Sequence, residues 1–155
     1  MSAASNYLED LTLDFWLKAN SQTTTAPTTV YVALFTSDPS LGSTAENLEA
    51  GIITNEVSTI DTTDSALAPS GYDRKAVTFG TITDGSVSNS ANVTFDTALA
   101  DWGTITHLAV MDENSTDDSA GAGNVLFYGA LTSAKNIEAG DTFQITTGNL
   151  TVTLA

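Results

Sequence analysis

Few residues in this chain could do chemistry. His107 is the only histidine, and there is no cysteine. A hydroxyl nucleophile needs an imidazole held in place by a third group, and a zinc centre needs several His or Cys donors, so neither has a basis here. The 19 Asp and Glu residues supply carboxylates in plenty. Glycoside hydrolysis, however, needs two of them at a set separation in a cleft, and no spacing singles out such a pair. The densest acidic stretch contains Asp112, Glu113, Asn114, Asp117 and Asp118. Its oxygens suit Ca²⁺, but the EF-hand pattern fails: the turn glycine is missing at the sixth position, and Gly123 stands where the bidentate Glu belongs. The stretch reads as a solvated hairpin loop, with Ca²⁺ as the lesser alternative. Tyr72, Trp102 and Tyr128 have flat rings that could stack on a sugar or pack within a sheet. The sequence therefore predicts no catalytic residue, no metal ligand and no cofactor.

Charge narrows the partners. Only Lys18, Arg74, Lys75 and Lys135 oppose the acids, giving a net charge of -15. Binding to DNA or RNA replaces condensed counterions with Lys and Arg, and anionic membranes likewise attract basic clusters. Direct contact with nucleic acid or a membrane is thus not expected. The first 20 residues lack a basic start and carry Glu9, Asp10 and Asp14, which is unlike a secretory leader. Synthesis in a cytoplasm is the expectation.

The elements that would position these residues are mainly strands. Thr is abundant and suits pleated backbone; Asn, Asp, Ser and Gly suit turns. Val30 to Thr36 is apolar on both faces and reads as a covered central strand. Further strands are expected over 72–80, 91–97, 102–112, 124–131, 143–145 and 150–154. In this reading Ile105, Ala109 and Met111 oppose Trp102, Leu108 and Val110, with His107 on the Ile105 side. The 124–131 strand is apolar on both faces, and turns fall at Asp84-Gly85 and Gly148-Asn149. The one good helix candidate spans Ser5 to Ala19, where Leu8, Leu11, Phe15 and Ala19 recur at helical spacing beside Trp16, and Ser43 to Ala50 could make two further helical turns. Asn6 with Glu9 forms a capping box, or Ser5 is the cap. The fold class is mainly β: a β-sandwich or jelly-roll-like barrel with an N-terminal α-helix. Residues 1–20 form a helix or arm and 28–155 a single β-sandwich domain carrying a long loop over 37–70.

Seven segments, taken in order, carry a resemblance: SNYLEDLTLDFWL, TVYVALFTSDP, GYDRKAVTFG, SNSANVTF, ADWGTITHLAVMD, GNVLFYGALT and AGDTFQITTGNLTVTL. Together they resemble a family of small tailed-phage virion proteins, often labelled tail fibre proteins, and they cover nearly the whole chain. The resemblance implies a non-enzymatic virion component without a cofactor. Within it, the acidic charge and compact length favour an outer capsid decoration (cement) protein bound to the major capsid protein and to copies of itself. The alternatives are a tail or tail-fibre-associated structural or adaptor protein, and a module binding host glycans. The expected partner contacts are Leu8, Leu11, Phe15 and Trp16 on the helix, and Leu41, Leu48 and Leu67 in the long loop.

Overall fold

The computed structural model describes residues 3–17, 26–39, 55–57, 70–114 and 123–154. Most of the long loop, with Leu41, Leu48 and Leu67, lies outside them. The chain opens with β1 (Ala3–Ala4) and α1 (Asn6–Leu17), followed by β2 (Val30–Phe35), β3 (Lys75–Val77), β4 (Ser86–Ser88) and β5 (Val93–Thr94). Then come β6 (Gly103–Met111), β7 (Val125–Ile137), β8 (Gln144–Ile145) and β9 (Thr151–Thr153). The protein is mostly β with one N-terminal helix, as its β-branched and turn-rich composition predicts.

A five-stranded antiparallel sheet, in the order β1-β7-β6-β2-β3, is accompanied by two small ladders, β4-β9 and β5-β8. No barrel closes. The outer strands β1 and β3 do not pair with each other, and the ladders remain separate sheets.

The sheet carries apolar residues on both faces because β2 alternates between two cores. Val32 and Leu34 join Val77, Ile105, Val93, Phe95, Trp102 and Phe143 in the larger core, which draws on the five-stranded sheet and the β5-β8 ladder. Ala33 and Phe35 join Ala109, Met111 and Val125 in the smaller one. Tyr72, Phe95, Trp102 and Phe143 form a run of ring contacts with centroids 5.5–6.3 Å apart, a spacing at which edge-to-face and offset stacking are favourable.

The structure departs from the sequence reading on both long strands. Ile105 sits in the larger core with Trp102 and Leu108, not opposite them. The cause is an irregularity in the β6–β7 pairing. Ile105 pairs with Lys135 and His107 with Ala130, so residues 131–134 of β7 lie opposite Thr106 alone. A bulge breaks the period-2 alternation and flips the faces that follow it. Strand β7 also runs on to Ile137, and most of it is half-buried or exposed. The apolar run to Leu131 therefore does not mark a strand covered on both sides. The expected Asp84-Gly85 turn forms, while the second turn, closed by the Asn149 N–H to the Thr146 carbonyl at 3.1 Å, centres on Thr147 and Gly148, one residue before the expected pair. Asp84 and Gly85 both take positive φ, 48° and 73°, the pairing that a two-residue primed hairpin turn demands.

Phe95 is 1% exposed at the centre of the aromatic run. Phe95→Ala is expected to lower unfolding free energy by about 3–5 kcal/mol, measured by urea denaturation. A loss below about 1 kcal/mol would show that this core is not the one holding the sheets together.

Candidate functional site

The residues that could have done chemistry are committed to structure. Trp102 is buried, and its indole N–H donates to the Ser70 carbonyl at 2.8 Å. Tyr72 is buried as well, so neither ring is available to a sugar. Tyr128 is half-buried, packs against the smaller core, and lines a groove with Asn149 and Thr151. The His107 imidazole contacts Thr106 Oγ1 through Nδ1 at 2.9 Å, while Nε2 lies 3.9 Å from Asp38 Oδ2. That second distance is too long for a hydrogen bond, so among the described residues no acid is hydrogen-bonded to the ring as a catalytic base requires. At the neck of the acidic loop, Asp112 Oδ1 accepts the Asn124 backbone N–H (2.6 Å) and Oδ2 accepts the Asn124 side-chain amide (2.8 Å). Gly123 has a φ of 81°, and a Cβ there would lie 2.7 Å from Glu113 Cβ. Asp112, Gly123 and Asn124 thus clasp the loop base, while Asp117 and Asp118 lie outside the described residues. Among the described residues, no group of three or more His, Asp and Glu side chains is placed to hold a metal ion.

A buried ion pair occupies the place where the sequence showed only scattered charges. The Arg74 guanidinium is fully buried and makes a two-pronged pair with Glu56: Nε to Oε1 at 2.7 Å and Nη2 to Oε2 at 2.6 Å. Its Nη1 donates to the Glu113 carbonyl at 2.9 Å. The Tyr72 hydroxyl donates to Glu56 Oε1 (2.8 Å) and accepts the Leu34 backbone N–H (3.0 Å). Burial pushes the Tyr72 phenol well above its ordinary value, and the neighbouring Glu56 charge adds to this. For Arg74, burial acts to lower the pKa, but the hydrogen bonds and charge of Glu56 outweigh it and the net shift is upward. Breaking a buried pair on one side leaves an uncompensated charge.

The accessible feature is helix α1. Ser5 is buried and caps it: Ser5 Oγ accepts the Leu8 N–H at 3.3 Å and donates to the Val125 carbonyl, while the Ser5 N–H donates to the Leu126 carbonyl at 3.0 Å. The cap is therefore Ser5 rather than Asn6, which already lies within the helix. The helix rests against β7, yet none of its residues is buried. Of the contacts expected from sequence, Leu8 and Leu11 are half-buried, while Phe15 and Trp16 are 56% and 74% exposed. The sequence reading missed Leu13 and Leu17, 53% and 76% exposed. Their i, i+3, i+4 spacing with Trp16 is itself a helical signal. Leu13, Trp16 and Leu17 thus make a second apolar side, roughly opposite Leu8 and Leu11 at 100° per residue.

Two outcomes are expected of the buried pair. Arg74→Met should cost about 3–5 kcal/mol, and Arg74→Met with Glu56→Leu should cost less than either change alone; equal or greater loss in the double variant would contradict this. The folded chain also holds the Tyr72 proton more tightly than the unfolded chain does. Stability contributed this way is complete below the unfolded phenol's pKa of about 10 and falls as pH rises beyond it. Melting temperature should drop on alkaline titration in that window, and Tyr72→Phe should flatten the drop; an identical slope in the variant would contradict it.

A match to the family model described as "Podophage GP4 fiber I protein gp80" spans residues 3–153. No curated protein sequence matches the chain. The match covers β1, α1, both cores and the last strand, and it gives no support to capsid decoration or to a major capsid protein as partner. This chain belongs to the podophage fibre I protein family and is a structural, fibre-related protein of a phage particle.

Proposed function

We propose that this protein is a non-enzymatic, tail-fibre-associated subunit that joins its neighbours through α1. Residues 1–20 act as an arm and 28–155 as the β body. The observation that carries the reading is the helix itself. It displays Leu13, Phe15, Trp16 and Leu17, while none of its own residues is buried. A helix with apolar residues on opposing sides is stable where both are covered, and contiguous exposed apolar surface of this kind marks an association site. Each of those side chains would gain about 1.5–3 kcal/mol on full burial. The contacts are Leu8 and Leu11 towards the body, Phe15 exposed at the end of that same side, and Trp16 with Leu13 and Leu17 on the other side towards the partner. Leu41, Leu48 and Leu67 remain candidate loop contacts. The partners are other tail components and further copies of this chain. The acidic surface supports the reading too, because it discourages contact elsewhere and concentrates association on the apolar patch.

The test is fractionation of purified particles into tails and shells, with the protein counted in each. The reading expects few copies per particle, all in the tail fraction. It also expects Trp16→Ser with Leu17→Ser to melt within about 1 kcal/mol of the parent while failing to incorporate. Hundreds of copies in the shell fraction, or normal incorporation of the double variant, would overturn it.

A further inference from the structure

We infer that the β1–α1 arm is exchanged between copies of this chain, so that β1 of one subunit is added to β7 of the next. The inference rests on the proposed role of α1 in contacting a partner, and it names the partner and the manner of docking.

Four observations carry it. First, the arm's grip on the body is made of contacts that any copy can supply. β1 adds to the sheet edge through backbone pairing, Ala3 with Tyr128 and Ala4 with Phe127. Ser5 continues the ladder through the Leu126 carbonyl. These bonds are the same whether the arm comes from its own chain or from a neighbour, which is the condition for swapping an element at low cost. Second, α1 is short, with 12 residues, and an isolated helix of that length is marginal in water. It needs cover on both sides, and a single copy covers neither fully. Third, the connection permits either arrangement. About 12 residues, Lys18 to Thr29, separate the helix from β2. Extended, they span roughly 40 Å, against a radius of gyration of about 15 Å for a chain this long. Fourth, β7 offers more edge than the arm uses. Among the described residues β1 pairs at 127 and 128, and β7 runs on to Ile137. A second copy is the occupant because it carries this acceptor edge by construction. A net charge of -15 on each copy also makes a localised, backbone-directed contact the favourable one between like-charged bodies.

The chain has no cysteine, so an introduced pair reports on the arm alone. Ala4 and Phe127 are direct cross-strand partners flanking the Ser5–Leu126 hydrogen bond. This makes them a non-hydrogen-bonded pair, whose close Cα spacing accepts a disulfide. Full-length Ala4→Cys and Phe127→Cys variants, carrying different affinity tags, are co-expressed and oxidised. The expected result is a heterodimer on a non-reducing denaturing gel, joined through positions 4 and 127 as read by peptide mass. The double variant Ala4→Cys with Phe127→Cys controls for folding and geometry. If it closes within one chain and the mixed single variants give no heterodimer, the exchange is overturned. If neither cross-links, β1 does not lie on β7 in solution and the exchange is equally overturned. Both failures leave the tail assignment standing, because that is read from particle fractions.

Discussion

The pairing of Arg74 with Glu56 is the contact on which the rest of the structure depends. A guanidinium enters a protein interior only when its donors are met. Here Glu56 takes two of them and the Glu113 carbonyl a third. The pair fastens four parts of the chain that are remote in sequence. Strand β3 covers β2 only as far as the Val32–Lys75 pair. Beyond that point the edge of β2 is finished by the Tyr72 hydroxyl, which takes the Leu34 N–H, and by the Val57 N–H, which donates to the Leu34 carbonyl. Tyr72 reaches there because Glu56 holds its hydroxyl, and Glu56 is held by Arg74. The same guanidinium tethers the entrance of the β6–β7 loop at Glu113. A chain with 4 basic residues against 19 acids places one of the 4 at this centre.

On the proposed reading, the molecule comprises a body built on two cores and an arm with few contacts to it. Two cores back to back on one sheet, with an aromatic run in the larger, give the body its rigidity. The arm is held by Ser5, two paired residues and the half-buried side of α1. A protein built for assembly benefits from such a contrast: the body presents a constant surface, and the arm can seek apolar cover without reshaping either core. A net charge of -15 would keep free copies apart until the proposed contact forms.

Much of this was legible in the residues. The VYVALF run announced a strand covered on both faces, and Val32 and Ala33 do face different cores. Asp84-Gly85 announced its hairpin through the only dipeptide types that accept two positive φ values cheaply. The alternation along β6 failed as a guide because a bulge is set by pairing with another strand, which no single strand's pattern records. Glu56 was not recognisable as a buried partner, since one Glu among many acids carries no mark of the Arg it will meet. The helix was legible as a contact element, but its outer side was not. The Leu8, Leu11, Phe15 spacing drew attention to one side of a helix that has two. The family match then moved the functional reading from shell decoration towards the fibre, a distinction that charge and length could not make.

The most direct measurement is a density map of the intact particle at a resolution that traces strands. The account predicts this fold at the tail, in few copies, with Trp16 and Leu17 of α1 enclosed at a contact between subunits. Density for the fold spread over the shell lattice, or α1 pointing into solvent with its apolar side uncovered in the assembled particle, would contradict it.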